Sequence, residues 1–204
     1  MVLPSAYLPP ISWFSPLVKG ELALIEQYEN YHKQTLRNRC TIDSPNGPLS
    51  LSIPVDRSTF VEGKCQMKDV RISTHADWQR QHWYAIETSY YNSPFFEYLQ
   101  DDFRPLYERH WTYLIDFNEA LICQCCQFLG LQPHLQRTTH YCGVEDPLPH
   151  FSSIPYYQVF QQKHPFLPDL SIIDLIFNMG NESILILMQG TQQQPPLQSP
   201  SAYF

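Results

Sequence analysis

The stretch from Trp111 to Leu129 constrains the fold more than any other part of the chain. Trp111, Leu114, Ile115, Asn118, Leu121, Ile122, Cys125 and Leu129 recur at three- and four-residue intervals, and Gly130 follows as a stop. This spacing predicts an amphipathic helix that must bury one face. Asn118 falls inside the apolar stripe, where an amide needs partners, and it reads as a satisfied structural amide.

What that helix packs on is written upstream, where the periodicity changes. Glu21–Gln27 reads as a buried strand. Cys40–Asp43 and Leu49–Val55 flank Ser44-Pro45-Asn46-Gly47-Pro48, and Asn-Gly between alternating segments is a hairpin signal. Residues 1–20 read as an extended entry followed by helical turns, with Ile11, Phe14 and Leu17 at helical spacing. Asp56–Gln66 reads as a polar linker, and Met67–Ser73 as a further strand. Helices are predicted from Asp77 to Tyr90, from Ser93-Pro94 to Gln100, and again from Pro105. A strand is placed within Leu131–His140. Ser171 is positioned to cap a helix containing Ile172, Ile173, Leu175, Ile176 and Phe177, with Gly180 at its end. Strands first and helices afterwards predict an α/β or α+β domain. We place one globular domain at residues 1–188 and a disordered Gln/Pro/Ser-rich tail at 189–204.

Lys and Arg number 13 against 20 Asp and Glu, a net charge of −7 with a pI near 5.5. That balance argues against a nucleic-acid partner. The N-terminus MVLPSAYLPPISWF has no charged n-region and is broken by prolines, so no secretory signal is read. The longest apolar candidate for a membrane span, Ser171 to Met188, is interrupted by Asp174, Asn178, Asn181 and Glu182. The expectation is a cytoplasmic protein. Cys123, Cys125 and Cys126 read as core filler, and a metal site at His140, Cys142 and His150 is a weaker alternative. The sequence identifies no metal site and no cofactor.

No phosphate-loop, dinucleotide-binding, nucleophile-elbow or zinc-protease motif is present. Local constellations carry the functional argument. The first is QYENYHKQTLRNRC, residues 27–40, a markedly polar connection between two core-like segments. Read as extended, it places Arg37 and Arg39 on one side and Asn38 on the other. Paired guanidinium groups with Lys33 suit a phosphate or carboxylate, and Glu29 or Glu26 could orient them. The plain alternative is a solvated hairpin flank. The second is the helix face of Trp78, His82, Ile86 and Tyr90, either a general base beside aromatic rings or ordinary core with a satisfied histidine. The third is Tyr7 in Ser5-Ala6-Tyr7-Leu8-Pro9-Pro10, at the mouth of a strand-to-helix junction or merely in a capping loop.

Taken together, these pieces resemble the WbqC-like family of bacterial proteins. The likeness runs through Tyr7-Leu8-Pro9-Pro10 with Trp13-Phe14, Glu29-Asn30-Tyr31-x-Lys33-Gln34, Arg37-Asn38-Arg39 and Asn46-Gly47. It continues with Leu51-Ser52-Ile53-Pro54-Val55, Lys68-Asp69-Val70, Trp78-x-x-x-His82-Trp83, Tyr90-x-x-Ser93-Pro94-Phe95-Phe96 and Leu170 to Gly180. Where many members carry Gln-Pro ahead of Tyr-Leu-Pro, this chain has Pro4-Ser5-Ala6. The resemblance implies surface polysaccharide (O-antigen) biosynthesis, with acyl or aminoacyl transfer to an amino sugar or sugar nucleotide. On that reading Lys33, Arg37 and Arg39 hold phosphates, Asn38, Glu29 and Tyr7 read hydroxyls, and Trp78 or Trp83 stacks a ring beside Tyr90. His82 or Glu29 takes the proton of the attacking amine, and the partners are a small-molecule substrate and an acyl donor. Two other classes are a non-catalytic sugar-nucleotide-binding or scaffold protein, and a magnesium-dependent nucleotide-activating enzyme using Asp69 or Asp174.

Overall fold

The fold is described from a computed structural model, over residues 1–132, 135–144 and 151–192. Short, mostly buried runs in the first strands build a small parallel sheet. β1 (Val2–Pro4) pairs with β2 (Ala23–Glu26), and β2 pairs with β7 (Leu135–Arg137), which puts β2 in the middle. Leu3, Ala23 and Ile25 are fully buried in it. Between β1 and β2 the chain makes a 3-10 turn at Ile11–Phe14 and a short helix, α1 (Ser15–Val18), as the apolar spacing predicts.

β3 (Arg39–Ile42) and β4 (Leu49–Ser52) form an antiparallel hairpin across Asn46-Gly47, with Cys40 opposite Leu51. A two-residue ladder follows between β5 (Val55–Asp56) and β6 (Arg71–Ile72). The strand expected over Met67–Ser73 is mostly absent. Its first half is a 3-10 turn at Met67–Asp69, because Met67 and Lys68 donate their N–H groups to the Glu29 and Gln27 carbonyls (2.9 and 3.0 Å) rather than to a ladder.

The second half is helical, giving a mixed α/β domain. α2 (Trp78–Tyr90), α3 (Phe96–Glu108), α4 (Leu114–Phe128) and α5 (Ile172–Met179) pack through two aromatic hubs, and α6 (Ser183–Gln192) lies against α1 and α5. Phe117 contacts the rings of Tyr7, Trp78, Tyr107 and Trp111, and Phe177 those of Tyr90, Phe96 and Phe103, all with centroids within 6 Å. Pro105 does not break α3, against expectation. A helix-interior proline costs about 3 kcal/mol, but the turn after it carries buried Tyr107, and Trp111 Nε1 donates to the Leu106 carbonyl at 2.8 Å. Burial and hydrogen bonding there outweigh the local preference.

Ser171 precedes α5 as expected, but its hydroxyl makes no cap bond; its carbonyl accepts from the Asp174 N–H at 2.9 Å. Of the three clustered cysteines, Cys125 and Cys126 are buried, whereas Cys123 is exposed. α6 runs through Gln192, so residues 189–192 are helical rather than part of a tail. Gly190 lets the Phe151 ring lie against the helix, and Ser152 donates to the Gly190 carbonyl at 3.0 Å. Residues 193–204 and His150 lie outside the described residues. Contrary to the sequence reading, the run Ile172–Thr191 does reach the length and apolarity of a membrane span, with a mean hydropathy of 1.2. It is 56% buried and is broken at Gly180 into two helices that pack into this fold.

Candidate functional site

In a parallel sheet the loops leaving the carboxyl ends of the strands gather on one edge, where ligands of open α/β sheets bind. Here β2 ends at Glu26 and delivers the chain directly into the polar loop 27–38, while β7 ends at Arg137 and leads to Tyr141. Between them lies a cleft of about 780 Å³, lined by Tyr28, Glu29, Asn30, His32, Lys33, Thr35, Arg37, Gln66, Tyr141 and Val144.

Glu26 holds these two loops together. Its carboxylate is fully buried and accepts the Tyr28 N–H (2.7 Å), the Thr138 hydroxyl (3.0 Å) and the Cys142 N–H (2.7 Å). Gln27 reinforces the junction by donating its side-chain amide to the Thr138 carbonyl at 2.6 Å. Glu26 thus braces the cleft rather than lining it.

The loop itself is tied down from three directions. Tyr7 N–H donates to the Leu36 carbonyl and Tyr31 N–H to the Cys65 carbonyl, both at 2.8 Å. Asn118 donates its side-chain amide to the Arg37 carbonyl at 2.8 Å and to Ser5 Oγ at 3.0 Å. The amide that interrupts the apolar stripe of α4 therefore braces the loop from beneath, as a structural partner. Arg37 turns back onto Glu29: Nε donates to Oε1 at 2.7 Å and Nη2 to Oε2, a bidentate pair with both side chains largely buried.

The arginines do not share a side. Residues 36–38 form a turn, in which Asn38 and Arg39 both donate to the Thr35 carbonyl, so extended alternation does not apply. Arg37 faces the large cleft. Arg39 bonds Ser52 Oγ at 2.9 Å and lines a separate 210 Å³ depression with Gln34, Thr35 and Asp169. Asn38 is buried and donates to the Ile53 carbonyl at 3.0 Å, closing the base of the hairpin. It does not line the cleft. Lys33 does, and is exposed there.

The remaining sequence candidates lie in the core. Tyr7 is fully buried, and its hydroxyl bonds His82 Nδ1 at 2.9 Å and the Tyr107 hydroxyl at 2.8 Å. Burial, and then the neighbouring Tyr107, push the Tyr7 phenol well above its ordinary range. Burial pushes the His82 imidazole down to about 4, against a smaller opposing effect of the Ser52 carbonyl, so the ring is neutral at pH 7. Trp78 packs edge-on against His82 and Phe117, whereas Trp83 stacks on Phe96 and lies tilted against Tyr107. Neither indole borders the cleft.

Tyr90 belongs to a second buried network that no sequence spacing announces. Its hydroxyl donates to Asp174 Oδ1 at 2.9 Å and accepts the Asp43 N–H at 3.1 Å. Tyr156 and Gln158 donate to Asp174 Oδ2 at 2.6 and 3.1 Å, and His164 reaches Asp43 Oδ1 at 3.0 Å. Burial raises the Asp174 carboxyl to about 6 despite these donors. Asp69, by contrast, is exposed and paired with Lys68, so the two aspartates named for magnesium chemistry do not meet. Among the described residues no group of three or more His, Cys, Asp or Glu side chains converges as a metal site.

Sequence reasoning missed Tyr28, Asn30 and His32 as cleft residues, although they sit in the same polar stretch. Gln66 and Tyr141 carried no signal, because only chain pairing brings them to the cleft.

The WbqC-like protein family matches residues 5–148, well over half of the chain. The chain belongs to that family. The match begins just after β1, takes in β2 through β7 and both loops of the cleft, and stops before α5 and α6. This WbqC-like chain is also 27% identical over 143 residues to the uncharacterized protein Rv1507c of Mycobacterium tuberculosis (strain ATCC 25618 / H37Rv), covering 69% of this chain and 60% of that relative. No solved structure matches.

Proposed function

We propose that this WbqC-like protein transfers an acyl or aminoacyl group to an amino sugar or sugar nucleotide in bacterial surface polysaccharide (O-antigen or lipopolysaccharide) biosynthesis, in the cytoplasm. The observation that carries the reading is the braced polar cleft at the carboxyl ends of β2 and β7. Its wall offers amide, phenol and hydroxyl groups from Asn30, Gln66, Tyr28, Tyr141 and Thr35, the inventory that reads sugar hydroxyls. Lys33 supplies a positive charge for an anionic group. In the transfer the sugar amine attacks the acyl carbon, the bond to the leaving group breaks, and the amine proton passes to a base. Glu29 is the carboxylate in the cleft. His82 is buried outside it and takes no part in the step.

One observation favours a binding-only reading: Glu29 is already engaged in two charge-assisted bonds with Arg37. Incubation with amino sugars and their nucleotide forms, with acyl thioester and aminoacyl donors, separates the two. Turnover that Glu29→Gln abolishes while ligand still binds supports transfer. Ligand binding weakened by Lys33→Ala, with no turnover from any donor, establishes a binding protein instead.

A further inference from the structure

A second cleft of about 480 Å³ lies against the first and shares His32 and Lys33 with it. Its other lining residues are Tyr31, Arg57, Phe60 and Gly63. The walls are built. Tyr31 is tied to the Cys65 carbonyl, and the Asn30–Gln66 bridge joins loop 27–38 to the segment that enters the Met67–Asp69 turn. The turn at Glu62-Gly63 is closed by reciprocal bonds between Val61 and Lys64, both 2.9 Å, and both turn residues have positive φ (50° and 76°).

Two features give this cleft a chemistry. Lys33 and Arg57 are both exposed, and among the described residues neither has a carboxylate partner, unlike Arg37, Arg80, Arg104 and Arg137. Phe60 stands half-buried in a T-shaped contact with Tyr31, centroids 5.9 Å apart and planes at 76°. Unpaired cations beside an aromatic ring suit a ligand that joins phosphate to a flat base.

We propose that this second cleft binds the nucleoside diphosphate part of the substrate, with phosphates on Lys33 and Arg57 and the base against Phe60. The inference rests on the cleft reading above and deepens it. The His32–Lys33 ridge would seat the phosphates between a base in the smaller cleft and the sugar or acyl group in the larger one. That chemistry belongs equally to a sugar nucleotide and to a nucleotide-bearing acyl donor.

Calorimetric titration of the full chain with uridine, thymidine and adenosine diphosphates, and with inorganic pyrophosphate, tests it without any sugar or acyl group. The expected result is binding of at least one nucleoside diphosphate more tightly than pyrophosphate. Arg57→Ala should weaken it about tenfold or more, and Phe60→Ala about fivefold or more. Arg57 is exposed and Phe60 half-buried, and circular dichroism of each variant checks that the fold is kept. A pyrimidine preference supports a sugar nucleotide, and an adenine preference an acyl donor. No binding, binding unmoved by both variants, or pyrophosphate binding as tightly as every nucleotide overturns the proposal. Acyl transfer to a free amino sugar alongside such a result would leave the larger cleft's reading standing. Nucleotide binding without turnover would do the reverse.

Discussion

Arg37 grips Glu29 through two nitrogens while Asn118, on α4, grips the backbone carbonyl of the same arginine at 2.8 Å. The ion pair in the cleft wall and the helix amide beneath it are therefore parts of one brace. Removing one member of a largely buried pair leaves an uncompensated charge. Arg37→Ala should destabilise the fold by about 3 kcal/mol, and the Arg37→Ala, Glu29→Ala double variant by less than the sum of the single changes. Chemical denaturation of the four proteins checks the coupling. Asn118→Ala should cost about 1–3 kcal/mol by leaving the Ser5 and Arg37 acceptors unpaired.

Glu26 accepts three donors and makes no ion pair among the described residues. Glu26→Gln keeps the size but points an NH₂ at N–H groups that need an acceptor. A loss of about 1–3 kcal/mol is expected, together with faster amide exchange at Tyr28 and Cys142. Unchanged exchange at both would mean that Glu26 does not hold the two loops.

His82 and Asp174 should give opposite acid responses. The folded His82 value, about 4, lies below its ordinary 6.5. The unfolded chain thus binds more protons between these values, and the contribution of His82 is full above pH 6.5 and lost as pH falls toward 4. At about 1.4 kcal/mol per pH unit this amounts to roughly 3 kcal/mol. Asp174 is raised from 3.8 to about 6, so the folded state binds more protons and stability from this group falls as pH rises through that window. Denaturation profiles from pH 4 to 7 should show the gap between the parent and His82→Gln widening with pH. The gap between the parent and Asp174→Asn should narrow or invert.

Gly180 ends α5 at φ 55°, and a Cβ there would meet the Phe95 ring at 2.5 Å. Gly180→Ala should cost about 1–3 kcal/mol, from the left-handed backbone and the collision together, and should shift the thermal midpoint accordingly. An unchanged midpoint would show that Phe95 moves aside freely.

The elements legible in the chain are those whose cause is local. The 3.6-residue stripe of α4, the Asn-Gly hairpin, the β2 strand and the polar loop that follows it all appear where periodicity and turn chemistry put them, because each depends on residues a few positions apart. The same locality made residues 27–40 readable as a recognition segment. Which of its side chains meet in a cleft was decided elsewhere. A turn at residues 36–38 sends Arg37 and Arg39 to different depressions, and Asn38 is consumed by the hairpin. Tyr7 and His82 lie 75 positions apart, and Tyr90 and Asp174 lie 84 apart. Their hydrogen bonds follow from how the helices pack on the sheet, and packing decided between the two readings of His82 by burying its imidazole. Residue type and spacing determined the elements and the polar inventory of the loop. Tertiary structure decided which groups stay wet and which are buried, since burial depends on neighbours that are distant in sequence.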